Sequence, residues 1–277
     1  MSEAGSRKPR APSDPNTSVV GGRRPVAELL KAGTSVEKIL IAREAGRSSV
    51  LQEIRRLAAG AGVPVKEVGR EAVDALAGPG NQGVAARTGR WRYASLDEIV
   101  SGDAATALFL DGVTDPQNLG SLIRSAAGAG LNGVVVPAHR AAPVTSTVRR
   151  VSAGAAEFVP VARVTNLGRA LDEARAAGMW IVGLDHEAED SIWTSDLMEP
   201  PVGLVLGSEE KGLSQGIRRR CDALVRIPSR GRVSSLNVAM AGAVAMFELA
   251  RRRDARYASS TTQASRPDAE HRAANRQ

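Results

Sequence analysis

Thr106-Ala-Leu-Phe-Leu110 runs into Asp111-Gly-Val-Thr-Asp-Pro-Gln-Asn118, then Leu119-Gly-Ser-Leu-Ile-Arg124, and shortly afterwards Gly133-Val-Val-Val136. An uncharged run closed by Asp-Gly reads as a buried strand. Leu119, Leu122, Ile123, Ala126 and Ala127 then recur at helical spacing. Asp115 or Asn118 can cap that helix, and Pro116 suits its first turn. Further strand-like runs stand at Phe158–Val161, Trp180–Leu184, Gly203–Leu206 and Leu224–Ile227, with helical patterns around Leu167–Ala177 and Leu236–Arg251. Short apolar strands alternating with helices define an α/β fold, a parallel sheet covered on both faces.

Working outward, residues 93–105 read as a linker with one short helix, and 19–92 as a separate α/β module. In that module Val26, Leu29 and Leu30 mark a helix, Lys38–Ala42 a strand, and Val50, Leu51, Ile54, Leu57 and Ala58 a second helix. Val63-Pro64-Val65 and Gly83–Ala86 begin further strands. Residues 1–18 and 256–277 lack apolar periodicity and are expected to be disordered tails. No internal repeat is present.

Charge is divided unevenly. Residues 19–92 hold 13 Lys and Arg against 7 Asp and Glu, whereas residues 93–255 hold 17 against 19. A basic module joined to a near-neutral domain suits a polyanion-binding unit attached to a catalytic one. Arg23, Arg24, Lys38, Arg43, Arg47, Arg55 and Arg56 are its candidate phosphate contacts. No apolar run spans a membrane and the N-terminus has no secretory pattern, so a cytoplasmic setting is expected. One cysteine, Cys221, excludes a disulfide framework, and three scattered histidines predict no metal site.

In open α/β sheets ligands bind at the carboxyl ends of strands, which directs attention to three loops. The first carries Asn118 and Arg124. An Arg within an Ala/Gly-rich apolar helix suits an anion site. The second is Leu204-Val-Leu-Gly-Ser-Glu-Glu-Lys-Gly-Leu-Ser214. Gly207 and Gly212 have the Walker spacing, but Leu213 stands where the phosphate-binding Lys is required, which excludes a P-loop. Gly212-Leu-Ser-Gln-Gly216 matches a nucleophile elbow, yet the lone downstream His271 lies in the tail. The third, Arg226-Ile-Pro-Ser-Arg-Gly-Arg-Val-Ser-Ser-Leu-Asn-Val-Ala239, offers Ser235 and Asn237 as helix caps or site residues. No GxGxxG follows a strand, so a dinucleotide cradle is missing.

In order and spacing these loops resemble the three motifs of the SpoU (TrmH) family, S-adenosylmethionine-dependent RNA ribose 2′-O-methyltransferases. The resemblance covers residues 106–255. Val20-Gly-Gly-Arg-Arg-Pro-Val-Ala-Glu-Leu-Leu and Gly80-Asn-Gln-Gly-Val-Ala-Ala make the front module similar to the L30e-like substrate-binding domain of the branch acting on 23S rRNA. That branch modifies a guanosine in the peptidyl-transferase region. The resemblance implies a trefoil-knotted methyltransferase domain, S-adenosyl-L-methionine as cofactor, and a homodimer formed through the C-terminal domain. Gly207, Ile227 and Leu236 match positions that line the cofactor pocket. Asn118, Arg124, Glu209, Ser235 and Asn237 match the catalytic set. Within it, Arg124 is expected to clamp phosphate and developing alkoxide charge, Asn118 to orient Arg124 or the ribose, and Glu209 to hold Arg124 or neighbouring backbone. Transfer to tRNA, or to another rRNA nucleotide as in resistance enzymes, shares the three motifs. A non-catalytic rRNA-binding assembly protein is the alternative outside enzymology.

Overall fold

In a computed structural model, residues 17–89, 91–229, 231 and 236–264 are described, and the chain divides into two units, 1–92 and 93–277. The first unit is β1 (Thr17–Gly21), α1 (Arg23–Lys31), β2 (Val36–Ala42), α2 (Ser49–Gly60), β3 (Val65–Val68), α3 (Arg70–Ala77) and β4 (Val84–Gly89). Its sheet has the order β1-β4-β2-β3, antiparallel except for the β2/β3 pair. Val26, Leu29, Leu51, Ile54 and Val73 from the three helices close over Ile39, Ile41 and Val84. Full burial of each large aliphatic side chain contributes about 1.5–3 kcal/mol. Strand β1 begins inside the stretch expected to be tail, because Thr17 and Ser18 pair with Gly89 and Thr88 through backbone groups that composition does not register.

The second unit opens with α4 (Leu96–Val100), which a Ser95/Glu98 capping box starts. It continues through β5 (Thr106–Leu110), α5 (Pro116–Ala129), β6 (Gly133–Pro137), α6 (Ser146–Val151), β7 (Val161–Val164), α7 (Leu167–Ala176) and β8 (Trp180–Leu184). The remainder is β9 (Asp190–Ser191), β10 (Val202–Leu206), α8 (Gln215–Arg218), β11 (Ala223–Arg226) and α9 (Val238–Ala264). All strand pairs are parallel, in the order β7-β6-β5-β10-β8-β11-β9.

Every residue of β5 and β10 is buried, as expected for central strands covered on both faces. Phe109, Val135, Ile181 and Val205 face α4, α7 and α8. Helix α9 lies against α5 on the other face. There Gly242 is required, since a Cβ would fall 2.4 Å from Leu122 and 2.6 Å from Leu206. Among the described residues no helix is long and apolar enough to cross a membrane.

Two sequence expectations are corrected. The run Phe158–Val161 is mostly not strand. Phe158 ends a 3-10 turn through its N–H to Ala155 O (3.1 Å), Pro160 has no N–H to pair, and β7 starts at Val161. Helix α9 continues past residue 255 to Ala264, so polar composition does not end it there.

Candidate active site

Three loops meet at the carboxyl ends of β5, β10 and β11. Asp115 caps α5 by accepting from Gln117 N (2.9 Å), and Pro116 occupies its first turn. That leaves Asn118, in the first turn, free of capping duty. After β10 the chain makes a tight hairpin: Ser208 N donates to Gly212 O (3.0 Å) and Gly212 N to Ser208 O (2.9 Å). The Gly212 backbone therefore passes directly over Gly207, where a Cβ would sit 2.0 Å from the Gly212 carbonyl carbon. The third loop ends at Asn237, whose Oδ1 caps α9 by accepting from Ala239 N (2.9 Å) and Met240 N (3.4 Å).

The side chains of Asn118, Glu209 and Asn237 converge. Asn237 Nδ2 donates to Asn118 Oδ1 (3.1 Å) and to both Glu209 oxygens (3.4 and 3.3 Å), and Asn118 Nδ2 donates to Glu209 Oε2 (3.3 Å). One residue from each motif thus forms a closed polar cluster, with Asn237 both capping a helix and serving the site. Neither Asn118 nor Glu209 pairs with Arg124, one of the two partners expected of each; they bond to each other and to Asn237. Arg124 is exposed on α5 and, among the described residues, its guanidinium has no hydrogen bond or ion pair. Ser235 lies outside the described residues.

Glu209 also lines a cavity of about 770 Å³. Gly207, Ile227 and Leu236 stand in its wall, with apolar Leu206, Leu213 and Val238 beside them. Polar residues of its wall include Asp185, Glu187, Lys211 and Arg218. Asp185, nearly buried, pairs with Arg218, and Glu187 lies 3.8 Å from the same guanidinium. The volume falls within the range of small-molecule and cofactor sites.

Sequence reasoning missed Asp111. Its Oδ2 accepts from Ser214 N (2.7 Å), and its own N–H donates to Leu206 O (2.7 Å), which ties the β5 loop to the far end of the hairpin. An acid ending a strand was the available signal. Burial first, then the neighbouring Asp222, pushes the Cys221 thiol up to about 12, which disfavours the thiolate a nucleophile needs. Among the described residues no group of three His, Cys, Asp or Glu could hold a metal ion.

In the front module Arg23 points inward. It donates to Ala45 O (2.7 Å), Gln82 O (3.1 Å) and Ser48 Oγ (3.3 Å), which removes it from the candidate phosphate contacts. Arg55 pairs with Glu67 at 2.8 Å. Arg24, Arg43 and Arg47 are exposed.

Residues 105–247 match the SpoU rRNA methylase family model, and residues 19–94 match the RNA 2′-O ribose methyltransferase substrate-binding model. The chain is 42% identical to the 23S rRNA (guanosine-2′-O-)-methyltransferase RlmB of Xanthomonas axonopodis pv. citri, over 87% of this chain and 98% of that protein. It is 41% identical to RlmB of Xylella fastidiosa, over 86% and 97%. The crystal structure of the SpoU methyltransferase AviRb from Streptomyces viridochromogenes, in complex with the cofactor AdoMet, superposes with a TM-score of 0.73. That match has 29% identity and covers 87% of this chain and 92% of AviRb. The chain therefore belongs to the SpoU rRNA methylase family and is an RNA ribose 2′-O-methyltransferase.

Gly207→Ala is expected to disrupt the hairpin rather than fill the cavity, because its Cβ meets backbone. Overpacking of this kind costs about 1–3 kcal/mol. A lowered melting temperature with at least tenfold weaker S-adenosylmethionine binding by calorimetry is the expected result. Wild-type binding by this variant would remove the close approach as the reason for glycine.

Proposed function

We propose that this chain methylates the ribose 2′-hydroxyl of a guanosine in 23S rRNA, using S-adenosyl-L-methionine held in the cavity at Gly207, Ile227 and Leu236. The observation that carries the reading is the junction of that cavity with the Asn118–Glu209–Asn237 cluster through Glu209. The 23S rRNA specificity rests on the two RlmB relatives, and the cofactor on the AviRb complex. The cavity suits such a molecule: apolar Leu206, Leu213 and Val238 offer an adenine a dry wall, and the exposed Glu187 offers a carboxylate to an ammonium.

When bound, the cofactor supplies a sulfonium methyl group for in-line displacement. The chain's own residues position the acceptor. Asn118 and Asn237 fix the Glu209 carboxylate at the cavity wall, where it orients the incoming ribose. Arg124 grips the adjacent phosphate and the alkoxide charge as it develops. The module 19–92 binds the rRNA, and residues 106–255 carry the chemistry, in the cytoplasm where ribosomal RNA is made.

Two architectural features belong to the same reading. A trefoil knot at the cofactor loops rests on the likeness to the SpoU methyltransferases. A homodimer through the C-terminal domain is supported by the stripe Met240, Val244 and Phe247 on α9, 64%, 36% and 52% exposed.

Mass-spectrometric mapping of ribose methylation in 23S rRNA from a deletion strain is expected to show one lost 2′-O-methylguanosine. Calorimetry with a chelator present is expected to leave cofactor binding unchanged. A full methylation pattern in the deletion strain, with a lost tRNA methyl group instead, would assign the chain to tRNA.

A further inference from the structure

The loop after β6, residues 138–145, leaves the sheet at the same end as the active site. Hydrogen bonds hold it firmly along its length. Ala138 N donates to Val164 O (2.7 Å), Arg163 Nη2 to Ala138 O (2.9 Å), and Val144 N to the Tyr93 hydroxyl (3.1 Å). Arg163 also lies over the Tyr93 ring, 5.7 Å from its centroid. The fourth bond matters most: Ala142 N donates to Val113 O (3.0 Å) in the β5–α5 loop that leads to Asn118.

At the start of this loop His139 and Arg140 are exposed, and among the described residues neither side chain has a hydrogen bond or ion pair. Arg140 has φ +58°, a left-handed conformation that non-glycine residues seldom adopt and that concentrates at functional loops. The Arg140 guanidinium thus carries its charge without an ion-paired carboxylate among the described residues. It stands out in a stretch, residues 93–255, whose acids outnumber its Lys and Arg. A polyanion held against such a domain needs a local cationic contact.

We propose that His139 and Arg140 form a shelf that grips backbone phosphates of the RNA strand flanking the methylated ribose. The proposal rests on the rRNA methyltransferase reading above. Phosphate contacts of this kind set register and orientation without reading bases. A loop already fixed by four hydrogen bonds loses little freedom when RNA settles on it.

The test uses the full chain and protein-free 23S rRNA transcript. Arg140→Asn removes the charge while tolerating the left-handed backbone, and His139→Gln removes the imidazole. Arg219→Gln, ahead of β11 at the opposite end of the sheet, is the equal-charge control. Arg140→Asn is expected to lower the slope of log K against log salt by about 1. The KM for rRNA is expected to rise several-fold in the double variant, with kcat and cofactor affinity held, and Arg219→Gln to leave the slope unchanged. Unchanged slope and KM in the double variant, or an equal change in Arg219→Gln, would overturn the shelf. So would an effect seen with protein-bearing ribosomal subunits but not with the transcript, which would put an acidic protein there. A wild-type chain that methylates no rRNA overturns the underlying reading, and the shelf with it.

Discussion

Arg124→Ala is expected to leave S-adenosylmethionine binding within a few-fold of wild type while rRNA methylation falls by about 10²–10³ or more, the scale of removing a group that stabilises developing negative charge. The separation follows from position. Arg124 is exposed on α5, is absent from the cavity wall and touches no member of the Asn118–Glu209–Asn237 cluster. Removing it disturbs neither the loops around the cavity nor the packing of α5, whose buried residues are Leu119, Gly120, Leu122, Ile123, Ala126 and Ala129. Arg124→Lys is expected to fail as well. A point ammonium cannot present the planar fork that holds a phosphate and an incipient alkoxide together. Single-turnover methylation beside calorimetry of cofactor binding makes the measurement. Near-normal turnover by Arg124→Lys would leave the phosphate-clamp mechanism without its basis.

The strands and the three loops were legible because buried parallel strands are short apolar runs, and the loops after them carry Gly, Asp and Asn at fixed offsets. Trp180–Leu184 is the same in sequence and structure for that reason. The cluster itself was not legible. Asn118 and Asn237 are 119 residues apart, and they meet because α9 returns to pack on α5, which no local pattern encodes. Charge was read as a count and not as a direction. Arg23 looked like a phosphate contact, yet it crosslinks the 45–48 turn to Gln82 inside the module. The same blindness hid α6. Ser-Thr-Val-Arg-Arg-Val offers no amphipathic stripe, and its middle arginine is among the most buried side chains of the domain.

That arginine leads to the largest expected loss of stability. Arg149 is 1% exposed, and its Nε donates to Glu157 Oε1 at 2.8 Å, with both side chains nearly inaccessible. Two ions removed from water are tolerated because each neutralises the other. Deleting one strands its partner, at a cost of about 3–5 kcal/mol. Arg149→Ala is therefore expected to lower the melting temperature of the C-terminal domain by on the order of 10 °C. Activity is expected to fall too, through packing. Helix α6 sits on α5 where Gly120 admits it, since a Cβ there would lie 2.7 Å from Val151 Cβ. Loosening α6 lets α5 shift, and α5 carries both Asn118 and Arg124. The double variant Arg149→Met with Glu157→Leu removes both charges and fills the space with apolar atoms. It is expected to recover most of the lost stability, as buried ion pairs commonly tolerate apolar replacement. Thermal unfolding of the two variants decides the matter. If Arg149→Ala unfolds like the wild type, the buried pair is not what secures α6. If the double variant is as unstable as the single one, the guanidinium holds the fold through contacts other than its charge on Glu157.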